Sequence, residues 1–305
     1  MTRSLKLIFI ILLLCGCQDQ KLYKSNRIIM GTIIEVTSAD SRAAEIAFDA
    51  IKKIDQLLSK YNPESEASKL NLEGQLHASS ETFYIIKRAK EFHKITNGAF
   101  DVSVGPLLDL WGFTEKEYRL PKAEEIRRTL ELVGSDKIVL NQSDNMVKFM
   151  LLGMKIDLGA IAKGYAIDYA VAELKKSGIT SCLINAGGDI YCLGSKFGKP
   201  WHVAIKDPRG FSSPGTLELK DRAVATSGDY EQYFFENSKR YPHIFNPETG
   251  YPVESGVVSV TVVASDCLTA DFLATSIMVL GKDKGKELAA RFPEVQVQII
   301  EERDA

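Results

Sequence analysis

The chain has 305 residues, with 38 Lys and Arg against 40 Asp and Glu, a formal net charge of −2, and 45% hydrophobic residues. That balance, without any polybasic stretch, excludes an electrostatically driven nucleic-acid binder. The five cysteines fall in no CxxC or Cys/His pattern, which argues against a zinc site.

At the N-terminus, Arg3 and Lys6 precede the apolar run Leu7–Leu14, too short to span a bilayer and of the proportions of a signal-peptide core. The run ends in LCGC. Cleavage before Cys17 leaves the small Gly16 at the last removed position, as in a bacterial lipoprotein signal, whereas cleavage before Cys15 would leave Leu14 there. The expectation is a leader over 1–16, a lipidated Cys17 held at a bacterial cell membrane and facing the periplasm or cell exterior, and a polar tether over 17–27. An ordinary secretory signal is the alternative. Without Arg3 and Lys6, 36 basic residues face 40 acidic ones, a formal charge of −4. Beyond the leader no apolar run is long enough to cross a membrane.

Residues 28–305 suffice for one large domain or two interleaved lobes. Ile28–Thr37 reads as a strand. Ala43–Leu58 carries the apolar stripe of an amphipathic helix, and Phe83–Ile95 repeats it. An apolar VSVGPL strand follows at Val102–Leu107. After Pro121, a charged helix over Ala123–Leu132 leads into a hairpin, KIVL–NQSDN–MVKFM. A long helix, Ala160–Lys176, stops at Gly178. Strands are expected over Ser181–Leu193, Trp201–Lys206, Thr216–Leu219 and Val257–Ala264. A helix from Asp266, another over Lys284–Phe292 and a strand over Val295–Ile300 close the chain, with Pro208–Gly215 the most loop-like insertion. Strands and helices mix without strict βαβ alternation, so the fold class reads as α+β. Cys182 and Cys192 sit in apolar strand contexts as small core residues, although an export compartment would permit a disulfide between them.

Three segments carry chemistry. In KIDLGAIAKGYA, Lys155–Ala166, an apolar run reaches Asp157, breaks at Gly159 and enters a helix with Lys163 in its first turns. A strand–glycine turn–helix start offers free N–H groups and a positive dipole end to an anion. A lysine there makes sense when an anion sits between the two positive ends. In the helix Asp266–Gly281, Asp271 and Thr275 are four apart and share one face. A buried carboxylate without a partner costs several kcal/mol, so the pair reads as hard-oxygen ligands for Mg²⁺. In HIFNPETG, His243–Gly250, a histidine in a Pro/Asn/Gly turn is a candidate proton acceptor. Alone, these residues support a metal-assisted phosphate site.

Together with MGT at Met30–Thr32, GAFDVSVGPL at Gly98–Leu107, INAGGDI at Ile184–Ile190 and ATSGDY at Ala225–Tyr230, the order of these segments resembles the ApbE family from about Ile28 to the C-terminus. These are FAD:protein FMN transferases, and the resemblance implies their mixed-sheet fold with two interleaved lobes. It also implies FAD contacts at Met30, Tyr61, Ala99, Phe100, Asp101, Asp157, Lys163 and Ile244. Magnesium ligation falls on Asp271, Thr275 and the Ala160 carbonyl, and His243 in HxxxPxTG is the catalytic residue. Asp101 reads equally as a structural cap. Some family members carry a second acid at the position of Ala274, which this chain lacks. The implied reaction moves FMN from FAD to a Thr or Ser hydroxyl of an acceptor protein, a membrane redox subunit, and releases AMP. FAD pyrophosphatase activity and a non-catalytic flavin-binding lipoprotein are the alternatives.

Overall fold

The computed structural model describes residues 21–205, 208, 209 and 215–302. The leader, Cys17 and most of the Pro208–Gly215 insertion lie outside the described residues. Among the described residues no helix is long and apolar enough to cross a membrane.

A seven-stranded sheet organises the chain. Its strands, Tyr23–Ile29, Thr32–Ser38, Cys182–Ala186, Asp189–Leu193, Arg222–Gly228, Val257–Ala264 and Gln296–Glu301, lie side by side in chain order, each antiparallel to the next. Val257–Ala264 is buried at every residue, because one face packs on helices and the other on a second layer. An unbroken apolar run is what such a two-sided burial demands. The helices Ala43–Leu58, Ala162–Lys176 and Cys267–Leu280 cover the first face and share one core with it. On the other face a small hairpin, Trp201–Ala204 with Thr216–Leu219, closes over Cys192, Val224 and Val263. The α+β class is what the chain adopts.

Cys182 and Cys192 are free, buried thiols. Cys182 pairs with Leu193 while Cys192 pairs with Leu183, so the period of two sends the sulfurs to opposite faces of the sheet. Burial pushes both thiols up to about 12, and each acts as a small core residue.

Several expectations need correction. Ile28–Thr37 is a hairpin rather than one strand. Met30 and Gly31, with φ of 54° and 69°, form its two-residue turn, the pair of positive φ values that matches strand twist. Its first strand begins at Tyr23, so the 17–27 tether is too long by the residues this strand takes up in pairing. VSVGPL is a 3₁₀ turn, Val102–Val104, followed by a helix, Gly105–Leu110; Pro106 fits the first turn of a helix, where no N–H is needed. Residues 154–158 belong to no helix or strand; Asp157 N–H bonds Val102 O and Ile156 N–H bonds the Asn71 side chain. Ser181–Leu193 turns back on itself at Gly187–Gly188. The helix Glu66–Glu73, the strand Arg222–Gly228 and the hairpin Tyr233–Glu236 with Lys239–Pro242 have no strong periodicity in the sequence and were not expected.

Candidate active site

Two helices cross where residue 164 is glycine. A Cβ there would lie 2.6 Å from Cys267 O and 3.0 Å from Asp271 Cβ, so the start of Ala162–Lys176 meets the start of Cys267–Leu280 backbone to backbone. The contact brings Asp271 Oδ2 to 3.2 Å from Gly164 N–H. An unbroken helix would direct that N–H to the Ala160 carbonyl. Here the bond goes to the carboxylate, and among the described residues the Ala160 carbonyl has no protein donor.

Asp168, one turn further along the same helix, locks the crossing. Its two carboxylate oxygens accept the Cys267 and Leu268 N–H groups, both at 2.8 Å, while Asp266 caps Thr269 N–H. Three of the orphan donors at that helix start are thereby satisfied. Burial pushes the Asp168 carboxyl up to about 7 against those two bonds.

The charges near the crossing are concentrated. Lys163 donates to Asp189 and stands 3.9 Å from Asp271. Burial works against its ammonium, yet the Asp189 and Asp271 charges outweigh it and hold its pKa above the ordinary lysine value. Burial, aided by Asp189, raises the Asp271 carboxyl well above the usual carboxylate range despite Lys163 and the Gly164 N–H. Thr275, one turn past Asp271, shares a hydrogen bond of 3.1 Å with Ser227 at the end of a sheet strand.

These groups open into a cavity of about 530 Å³. Every site residue named from the sequence, Cys17 apart, contributes to its wall. Met30 enters from the hairpin turn in a left-handed conformation unusual for a side-chain-bearing residue, its N–H 3.4 Å from Asp55. Asp157 accepts Gly159 N–H at 2.7 Å and pairs with Lys60 at 2.6 Å. Tyr61 is 67% exposed at the rim.

Two of the named residues that line the cavity also have structural partners. The Phe100 ring packs edge-on against Phe92 and Phe272 in the core. Asp101 spends its carboxylate on Ser103 N–H and hydroxyl, Ser135 N–H and hydroxyl, and His93. That is the structural-cap role, and it leaves no free acceptor on the carboxylate itself.

His243 is positioned by aromatic packing behind it. Phe245 sits among Trp111 and Phe113, and Trp111 Nε1 donates to Gly250 O at 3.1 Å. The His243 ring meets the Gln232 carbonyl at 3.1 Å through Nδ1. A carbonyl can only accept, so Nδ1 carries the proton and Nε2 keeps its lone pair. Burial lowers the His243 pKa, against that hydrogen bond, which favours the neutral ring.

The oxygen donors suit a hard cation. Among the described residues no three His, Cys, Asp or Glu side chains are grouped to hold a metal. The donors at hand are one carboxylate (Asp271), one hydroxyl (Thr275) and the carbonyl of Ala160, in the turn before the helix. All-oxygen, mixed-charge ligation completed by water or phosphate is the preference of Mg²⁺.

Sequence reading missed Asp189, Asp168, Lys60 and Ser227 as site residues. Asp189 and Ser227 lie inside INAGGDI and ATSGDY, so motif membership was the available signal. Nothing local marks Asp168 or Lys60.

A family model described as the ApbE family matches residues 30–299. The chain belongs to the ApbE family. It is 34% identical over 300 residues to the FAD:protein FMN transferase of Vibrio cholerae, covering 92% of this chain and 88% of that one. It is 32% identical over 274 residues to the protein of the same name from Klebsiella pneumoniae, covering 88% and 85%. The crystal structure of an ApbE protein from Thermotoga maritima superposes with a TM-score of 0.85 at 37% identity, over 92% of this chain and 94% of that one. The flavin transferase ApbE from Vibrio cholerae gives 0.82 at 32%, over 93% and 94%.

The helix crossing generates a prediction. Gly164→Ala gains up to about 1 kcal/mol of helix propensity but forces backbone apart, at about 1–3 kcal/mol for overpacking. The expected outcome is net destabilisation in a denaturant titration. Equal or higher stability would contradict the close approach.

Proposed function

We propose that this ApbE-family chain is an FAD:protein FMN transferase, moving FMN from FAD to a Thr or Ser hydroxyl of an acceptor protein. The observation that carries the reading is the convergence of the Lys163 ammonium, a hard-oxygen donor set and a histidine with a free Nε2 on one cavity, although the N–H groups of the Gly159 turn and of Ala162 and Gly164 are taken up within the protein. The names of the relatives support the same activity.

The chemistry assigns each residue a task. The acceptor hydroxyl attacks the phosphorus on the riboflavin side of the FAD pyrophosphate. A new P–O bond forms to the acceptor, and the bond to the AMP phosphate breaks with its electron pair leaving on AMP. His243 Nε2 takes the hydroxyl proton. Lys163, near the start of its helix, places an ammonium and a positive dipole end toward the phosphates. Asp271, Thr275 and the Ala160 carbonyl would hold Mg²⁺, which when bound neutralises charge on the non-bridging oxygens. The cavity walls fix the flavin half and limit the approach of water. Water in place of the acceptor hydroxyl would give FAD hydrolysis at the same residues.

Incubating the purified chain with FAD, Mg²⁺ and a candidate acceptor, then weighing the acceptor, tests the reading. A gain of one FMN mass supports transfer. Free FMN and AMP with an unmodified acceptor would mean hydrolysis, and unchanged FAD would mean binding alone.

Proton transfer by a positioned side chain contributes roughly 10²–10⁴-fold. His243→Ala should therefore bind FAD within a few-fold of the parent and lose most single-turnover transfer. Lys163→Ala should weaken FAD binding as well, since a phosphate contact exists before the transition state. Near-normal labelling by the His243 variant would remove the histidine from the mechanism.

The pH profile follows from the lowered His243 pKa. The base works only unprotonated, so a depressed pKa extends activity to the acid side. The acidic limb of single-turnover transfer should have its midpoint below the ordinary histidine value of about 6.5. A midpoint above that value would contradict the assignment.

The same proposal includes an outward-facing lipoprotein anchored through Cys17, with acceptors among redox subunits exposed on that side of the membrane. Cys17→Ala should release the protein from the membrane fraction and leave its flavin chemistry intact. Retention of the variant in washed membranes would contradict the anchor.

A further inference from the structure

Lys163 is held unevenly between two buried carboxylates. Its ammonium is hydrogen-bonded to Asp189 Oδ2 but stands 3.9 Å from Asp271 Oδ2. Asp189 is 2% exposed and Asp271 3%, so neither relies on water for its neutralisation. The two acids come from different parts of the fold. Asp271 rides on one of the crossing helices. Asp189 opens a sheet strand directly after the Gly187–Gly188 turn. That turn is closely held: Gly188 N–H bonds Asn185 Oδ1 at 2.9 Å, and a Cβ on Gly187 would meet Thr32 Oγ1 at 2.4 Å.

An ammonium and a dication compete for the same carboxylate. Lys163 seated on Asp271 would neutralise the one formal charge among the three proposed magnesium donors and weaken a hard-cation site. Lys163 lies one residue before Gly164, whose N–H bonds Asp271, so without another partner its flexible stem leaves the ammonium free to close on that carboxylate. Asp189 supplies the other partner, from the sheet side.

We infer that Asp189 is a positioning residue that holds the Lys163 ammonium off Asp271, keeping that carboxylate open to a divalent cation while the ammonium still faces the cavity. This rests on reading Asp271 as a metal ligand. Asp189 touches neither metal nor phosphate in this scheme; it acts through Lys163.

The test uses the purified chain and Mg²⁺ alone, without flavin, followed by thermal denaturation and by titration calorimetry. Asp271→Asn is the control and should abolish the Mg²⁺-dependent stabilisation. Asp189→Asn should raise the Mg²⁺ concentration for half-maximal stabilisation by about tenfold, the size of a modest coupling between neighbouring groups. Lys163→Met, which removes the competitor, should titrate at or below the parent midpoint. Adding Lys163→Met to Asp189→Asn should abolish the defect of the latter, a reversal that simple structural damage would not give. The double variant replaces a buried ion pair by neutral groups of similar size, an exchange folds tolerate, so it remains informative should Asp189→Asn alone fail to fold. A parent-like midpoint in Asp189→Asn, a weakened midpoint in Lys163→Met, or a defect that persists in the double variant would each overturn the inference. Stabilisation by Mg²⁺ that survives Asp271→Asn would overturn the ligand reading itself, and the inference with it.

Discussion

The helices Ala162–Lys176 and Cys267–Leu280 can touch as closely as they do because residue 164 has no side chain, and the site is a consequence of that contact. With Cys267 O against Gly164, Asp271 reaches into the first turn of the neighbouring helix and takes the Gly164 N–H. Ala160, just before the helix whose N-cap is Ile161, also lines the cavity, and among the described residues no protein donor takes its carbonyl. The close approach thus sets a buried acid against the start of the neighbouring helix, with Thr275 on the same helical face one turn on. A Cβ at position 164 would separate all of them.

Such a contact is expensive in electrostatic terms. Two carboxylates and an ammonium are gathered where water is largely excluded, and an unpaired buried charge costs several kcal/mol. The fold offsets this with fixed donors. Asp168 ties the second helix start to the first helix by two main-chain bonds, Asp189 meets Lys163, and the Gly164 N–H meets Asp271. The Asp168 and Asp271 carboxyls both remain raised, and of the two Asp271 lines the cavity, where a cation would favour its charged form. Asp101 shows the contrasting solution: five donors satisfy it, and it serves the wall of the cavity.

Much of the site was legible in the sequence because its residues sit in short local patterns. Asp271 and Thr275 four apart on an apolar helix, Gly159 before a helix start, and a histidine in a proline–glycine turn each declare themselves within a dozen residues. The long periodic helices were legible for the same reason. What the sequence hid is what depends on tertiary pairing. Asp168 looks like one solvated acid on an amphipathic helix until Cys267 is brought to it. VSVGPL has the apolar composition of a strand, and only packing on the Trp111 cluster makes it a turn and helix. Arg222–Gly228 has strand neighbours on both sides, Asp189–Leu193 and Val257–Ala264, which override its small, weakly patterned residues. The hairpin at Met30 was obscured because one apolar run covers both strands and the turn residue itself carries a side chain.

Central to the proposed chemistry is one divalent-cation site at the helix crossing, held by Asp271, Thr275 and the Ala160 carbonyl. The most direct measurement is an anomalous diffraction map from crystals of the protein soaked in Mn²⁺ as a stand-in for Mg²⁺. A single strong peak bonded to Asp271 Oδ, Thr275 Oγ1 and Ala160 O is the predicted result. A peak held by other residues, or none at a concentration that supports activity, would contradict it.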